Sequence, residues 1–111
     1  MMNSQIFNIS TDFSKSPGPR YTRQGPMSGE KLRQQLVKLL KESEGTITIV
    51  LDGTRGIGSS FLDEAFGGLI RNEGFTLAQV RSRFLFISSL DPTYIQEIDE
   101  SLDRAVKEKV H

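Results

Sequence analysis

The chain has 111 residues, a length that suits one domain with its own core and leaves no room for a second. Its 14 basic and 14 acidic side chains cancel, so net charge draws it to neither nucleic acid nor an anionic membrane, and protein or small-molecule partners are expected instead. Cysteine is absent and the single histidine is His111, which excludes disulfides, thiol catalysis, cysteine-ligated zinc and, in effect, imidazole chemistry.

Met1-Met2-Asn3-Ser4 lacks the basic start and apolar middle of a signal peptide, and no apolar run approaches the roughly 18 to 20 residues of a membrane span. A single cytoplasmic domain over residues 1–111 is the expectation. Ile6, Phe7 and Ile9 then make a short strand at or near a sheet edge. Residues 11–27 hold three prolines and two glycines but also Phe13, Arg20, Tyr21 and Arg23, too many large side chains for a plain linker. They read as a structured loop with a brief extended piece at Arg20-Tyr21-Thr22. Long loops in compact domains are uncommon without a task, so this one is a candidate contact surface, with a proline-braced cover over one end of the sheet as the plainer alternative.

Ser28 is an N-cap signal and Glu30 a carboxylate in the first turn, where the helix dipole favours it. Leu32, Leu36, Leu39 and Leu40 form the apolar stripe of an amphipathic helix that ends near Ser43 before Gly45. The chain is organised around its middle stretch, residues 46–71. Residues 46–51, TITIVL, put Ile47, Ile49 and Leu51 on one face while Val50 partly fills the other, as in a central strand covered on both sides. Asp52 and Gly53 end it, and after a glycine loop the residues Phe61, Leu62, Ala65, Phe66, Leu69 and Ile70 return at helical spacing, predicting a helix from about Ser59 to Asn72. Either Ser59 or Ser60 suits its N-cap, and the free N–H groups of its first turn favour anions.

Gly67 and Gly68 lie inside that helix, each at a cost of about 1 kcal/mol relative to alanine, which implies close approach of the sheet backbone or of a partner. Ser60, Asp63, Glu64, Gly67 and Arg71 share the side away from the aromatic stripe and predict an exposed, acidic, partly smooth face. Thr76 caps one short helical turn, residues 83–88 read as another buried strand of a parallel sheet, and Asp91-Pro92 starts a last helix carrying Ile95, Ile98, Leu102, Ala105 and Val106 inward. Its Glu100–Arg104 and Asp103–Lys107 spacings suit a solvated, ion-paired outer face.

Residues 53–60, GTRGIGSS, come close to a phosphate-binding loop, but Ser59 stands where the lysine belongs, and only Arg55 offers a cation. The chain also lacks the second carboxylate segment that triphosphate hydrolysis requires. Asp52, Asp63 and Glu64 are the one set of carboxylates that could gather for acid–base work or a metal, yet a turn role for Asp52 and a surface role for Glu64 are simpler.

The strand ending in Asp52 and the run Ile57-Gly58-Ser59-Ser60-Phe61-Leu62 resemble the core of STAS domains, the sulfate-transporter and anti-anti-sigma-factor family. More closely, Pro17-Gly18-Pro19-Arg20-Tyr21, Gly25-Pro26-Met27-Ser28-Gly29-Glu30 and residues 59–67, SSFLDEAFG, are similar to the short bacterial STAS-like family of undefined function. The resemblance implies a regulatory binding module whose helix-start serine, here Ser59, is phosphorylated by a histidine-kinase-like ATPase so that the phosphate blocks docking. Gly58 stands where that family's serine is preceded by Asp. The full expectation is a small α/β domain, a mostly parallel sheet of about four strands with amphipathic helices. It acts as a non-enzymatic protein-interaction module without cofactor or metal. Its proposed surface is Arg55, Ser59, Ser60, Asp63, Glu64 and Gly67, bordered by Arg20 and Tyr21. The alternative is a phosphate- or nucleotide-binding sensor, or a phosphate-handling enzyme, using residues 53–60.

Overall fold

The computed structural model describes residues 4–109; Met1, Met2 and Asn3, on which the signal-peptide reading falls, and Val110 and His111 lie outside the described residues. The β-branched run 46–51 forms the middle strand, β2 (Ile47–Val50), between β1 (Gln5–Asn8) and β3 (Phe84–Ile87), all parallel in the order β1-β2-β3. The sheet therefore has three strands where about four were expected. The extended piece predicted at Arg20-Tyr21-Thr22 does not pair; Thr22–Gln24 instead makes a 3-10 turn in which Gln24 accepts from the Tyr21 N–H. Four helices match the sequence signals: α1 (Gly29–Glu42); α2 over residues 59–71, built of α-helical Ser59–Leu62, π-helical Asp63–Gly67 and α-helical Gly68–Arg71; α3 (Leu77–Arg83); and α4 (Thr93–Lys109).

Local chemistry explains most of these starts. The buried Ser28 hydroxyl accepts from the Lys31 N–H at 3.0 Å, and Glu30 turns back to the Thr22 N–H at 2.9 Å, tying the preceding loop to α1. Thr76 and Gln79 form a reciprocal capping box, which extends the single turn expected there to the seven residues of α3. Asp91 accepts from the Thr93 N–H at 3.1 Å at the head of α4. At the end of α1, Arg83 reaches back to the Ser43 carbonyl at 2.7 Å and the Gly45 carbonyl at 2.8 Å, so the residue that leads into β3 also closes the helix before β2.

Topology decides which face of the sheet is covered. Crossovers between parallel strands are right-handed, and strands in the order 1-2-3 never reverse direction across the sheet, so successive crossovers fall on the same side. Burial agrees: Ile47, Ile49, Leu51 and Phe84 point inward and are buried, whereas Ile6, Leu85 and Ile87 point outward and are exposed. β2 and β3 were expected to be covered on both faces; they are covered on one. The inner face carries Phe66 of α2, its ring edge-on to Phe84 and Phe86 at 6.2 and 5.3 Å. α2 lies between α1 and α4, and Leu32, Leu36, Phe61, Leu62, Ile98 and Leu102 complete the core.

The glycines inside α2 serve this packing and not the sheet or an outside partner. A Cβ on Gly67 would lie 3.2 Å from the Ser101 carbonyl of α4, and one on Gly68 would lie 2.7 Å from a guanidinium nitrogen of Arg33 on α1. Both neighbouring helices approach α2 where it has no side chain.

Candidate functional site

The predicted surface separates into two parts with opposite fates. The first is the loop from β2 to α2. Gly53 takes φ +94°, a conformation open to glycine, and beyond it the Arg55 N–H donates to the Lys15 carbonyl at 2.8 Å while its guanidinium meets the Ser16 hydroxyl at 3.2 Å. The Ile57 N–H donates to the Tyr94 hydroxyl of α4 at 3.1 Å, and the Ile57 side chain is buried. Fixed at both points, the loop delivers Ser59 and Ser60 to the first turn of α2 with both residues exposed. Neither caps the helix as expected. The N-cap is Gly58, without a side-chain hydrogen bond, and the first intrahelical bond runs from the Leu62 N–H to the Gly58 carbonyl at 3.2 Å. The N–H groups of Ser59, Ser60 and Phe61 precede that bond.

The second part, Asp63, Glu64 and Gly67, was expected on an exposed acidic face, and the structure corrects this: all three are buried. Four arginines from four segments neutralise the carboxylates. Arg20 of the proline-rich loop donates to Asp63 at 2.8 Å and Glu64 at 3.2 Å; Arg71 of α2 and Arg104 of α4 reach Asp63 at 3.2 and 3.3 Å. Arg33 of α1 pairs with the Glu64 carboxylate, and its Nε donates to Glu73 at 3.0 Å. Arg104 was expected to pair along α4 with Glu100; it crosses to α2 instead. The π segment Asp63–Gly67 sits at the centre of this cluster.

Burial by itself would raise the Asp63 pKa, but hydrogen bonds from Arg20 and Arg71 outweigh it and hold the carboxyl below its ordinary value. A carboxylate whose folded pKa is depressed contributes stability that is full above its unfolded pKa and is lost as pH falls through the folded one. The denaturant midpoint is therefore expected to drop between pH 5 and pH 3, with a shallower drop in Asp63→Asn, as measured by urea titration at each pH.

Asp52 is not part of either group. It accepts from the Ser89 and Leu90 N–H groups at 3.0 and 2.9 Å, bonds that lower its pKa, so it joins the ends of β2 and β3 and does not gather with Asp63 and Glu64. Tyr21 is half-buried, with the Arg23 guanidinium 5.1 Å above its ring. Arg33 is the residue that sequence reasoning missed. Its position three residues before Leu36 and seven before Leu40 sets it on the apolar stripe of α1, a signal that this cation has a buried partner.

Two concavities lie at the amino ends of the strands, away from the loop. One of about 210 Å³ is lined by Leu40, Phe75, Gln79, Val80, Ser82 and Arg83; the other, about 280 Å³, lies beside Ile70, Phe75, Leu77 and Val106. Neither contains a residue of the predicted surface, and both fall below the ~300 Å³ at which ligand pockets begin. Among the described residues the strand order β1-β2-β3 does not reverse and forms no switch-point crevice, the usual ligand position in open α/β sheets. Among the described residues no helix is long and apolar enough to cross a membrane.

A family model described as a STAS-like domain of unknown function (DUF4325) matches residues 28–93. The match runs from the cap of α1 to the first residue of α4. It contains Arg33, Ser59, Ser60, Asp63 and Glu64, and leaves Arg20 and Tyr21 outside. No curated protein and no solved structure matches the chain.

Proposed function

We propose a function from one premise: the chain belongs to the family of STAS-like domains of unknown function. It is a non-enzymatic regulatory module that docks a protein partner through the start of α2, and phosphorylation of Ser59 or Ser60 switches the docking. The observation that carries this reading is that both serines are exposed in a first turn they do not cap, on a loop held by Lys15 and Tyr94. An exposed hydroxyl without a structural task is available to a kinase, and a prearranged loop loses little freedom when a partner binds.

The docking surface is smaller than the sequence suggested. Arg55, Gly56, Gly58, Ser59 and Ser60 are exposed, while Arg20, which reaches Asp63 one turn along α2, and Tyr21 are half-buried. Phosphorylation adds about 1.5 to 2 negative charges and three acceptor oxygens beside free helix N–H groups. Because Asp63 and Glu64 are neutralised by arginine, the block to docking comes from the charge and bulk of the phosphate itself and not from an acidic neighbourhood. The partner that fits is a kinase-like ATPase regulator.

The test begins with co-purification of the partner from the native cell, then measures binding of two variants. Ser59→Asp is expected to weaken binding at least about tenfold, equivalent to ~1.4 kcal/mol, while Ser59→Ala binds like the parent. If both bind equally, the switch fails and simple docking survives. A saturable thermal shift with phosphate or nucleotide, without a protein partner, would favour the small-anion reading.

A further inference from the structure

We propose that the bare face of the sheet is the interface between two copies of this chain. All-parallel sheets are normally covered on both faces, because their crossover helices pack there, and strands so covered are apolar on both sides. Here the outward positions are Ile6, Asn8, Thr48, Val50, Leu85 and Ile87, in two registered rows, Ile6-Thr48-Leu85 and Asn8-Val50-Ile87. None is charged, although charged residues make up 25% of the sequence. Sheets with one face in water usually alternate apolar residues inward with polar ones outward, and here four of the six outward residues are apolar. Ile6 is 75% exposed, Leu85 57% and Ile87 44%. Beyond the carboxyl end of β3, Leu90 is 82% exposed, and its N–H donates to Asp52 at 2.9 Å.

A second copy suits this surface for three reasons. The six outward positions are uncharged, so applying the face to itself brings no like charges together, and the chain as a whole is neutral. Twisted sheets pack face to face with their strands about 30° from alignment, which lets the two small rows interdigitate. The area is also adequate: the patch is of the ~300–600 Å² class that marks functional surfaces, and two of them together reach roughly the 1,000 Å² of a real but modest interface. The dimer is two-fold, with Thr48 of the middle strand near its axis and the helical layers outermost. The loop at Ser59 lies at the carboxyl end of β2 and stays open, so dimerisation and partner docking are separable.

Sedimentation velocity on the purified chain from about 1 to 200 μM measures this directly. A concentration-dependent dimer with a dissociation constant in the micromolar range is expected. Leu85→Lys, which places a charge in the contact, is expected to weaken dimerisation on the order of 100-fold or more, with the helical far-ultraviolet spectrum unchanged. Ile6→Lys serves as the second variant if Leu85→Lys does not fold. A parent chain that stays monomeric throughout the range overturns the proposal, as does a dimer that survives both substitutions.

Discussion

Replacing Arg33 by methionine is expected to lower the unfolding free energy by about 3–5 kcal/mol, the range for removing one member of a buried ion pair. The Arg33 guanidinium bonds the Glu64 carboxylate and, at 3.2 Å, the Glu64 carbonyl, while its Nε holds Glu73 at 3.0 Å. Methionine fills much of the same volume, so the loss does not come from a cavity. It comes from Glu64, which keeps Arg20 at 3.2 Å but loses its partner on the α1 side while remaining buried. In a domain of this size the loss corresponds to a melting-temperature drop of roughly 12–30 °C. Pairing the change with Glu64→Leu removes the stranded charge, and the double variant is expected to regain at least about 1 kcal/mol over Arg33→Met alone. Thermal and urea unfolding of the two variants decide the matter. An Arg33→Met midpoint equal to the parent's would show that the arginine cluster does not hold α1 to α2.

That cluster also marks where the sequence stopped being readable. Ser28, Thr76 and Asp91 announce α1, α3 and α4 through bonds within three residues of chain, and the period-2 pattern of residues 46–51 announces β2; such signals are local and survive folding unchanged. The burial of Asp63 and Glu64 has no local signal. Arg71 is eight residues away on the same helix, but the other three arginines, Arg20, Arg33 and Arg104, lie between 31 and 44 residues away along the chain. A helical-wheel reading also assumes 3.6 residues per turn, and the π segment Asp63–Gly67 breaks that period at the residues whose direction was in question. The bare sheet face was hidden for a different reason. The run Phe84-Leu85-Phe86-Ile87 has the same apolar continuity whether its outer side meets a helix, a second molecule or water, and only the strand order discloses that the described residues supply no outer layer. The exposed serines were legible because a strand, a glycine loop and a helix fix their position almost alone; their freedom from capping was not, since Gly58 took that role.

Gly29→Ala is expected to destabilise the domain by about 2–3 kcal/mol, the scale of overpacking in a closely fitted core. Intrinsic propensity argues the other way, because alanine is the better helix former by up to about 1 kcal/mol. Packing decides the sign. A Cβ at Gly29 would lie 2.5 Å from the Phe61 carbonyl oxygen and 3.0 Å from the Glu64 Cβ, and the first of these is backbone that cannot rotate aside. The first turn of α1 therefore has to move off α2. That motion also pulls at the Gly29 and Glu30 N–H groups, which hold the Pro19 and Arg20 carbonyls at 2.9 and 3.0 Å, and through them at the Arg20 bridge to Asp63 and Glu64. Gly58→Ala is the control: an added Cβ there meets nothing within 4 Å, and the backbone is extended at φ −73°. Its cost is expected to stay within about 1 kcal/mol, that of a weaker N-cap. Equal unfolding midpoints for the two alanine variants would mean that α1 and α2 are not in the close contact on which both the arginine cluster and the setting of the Ser59 turn depend.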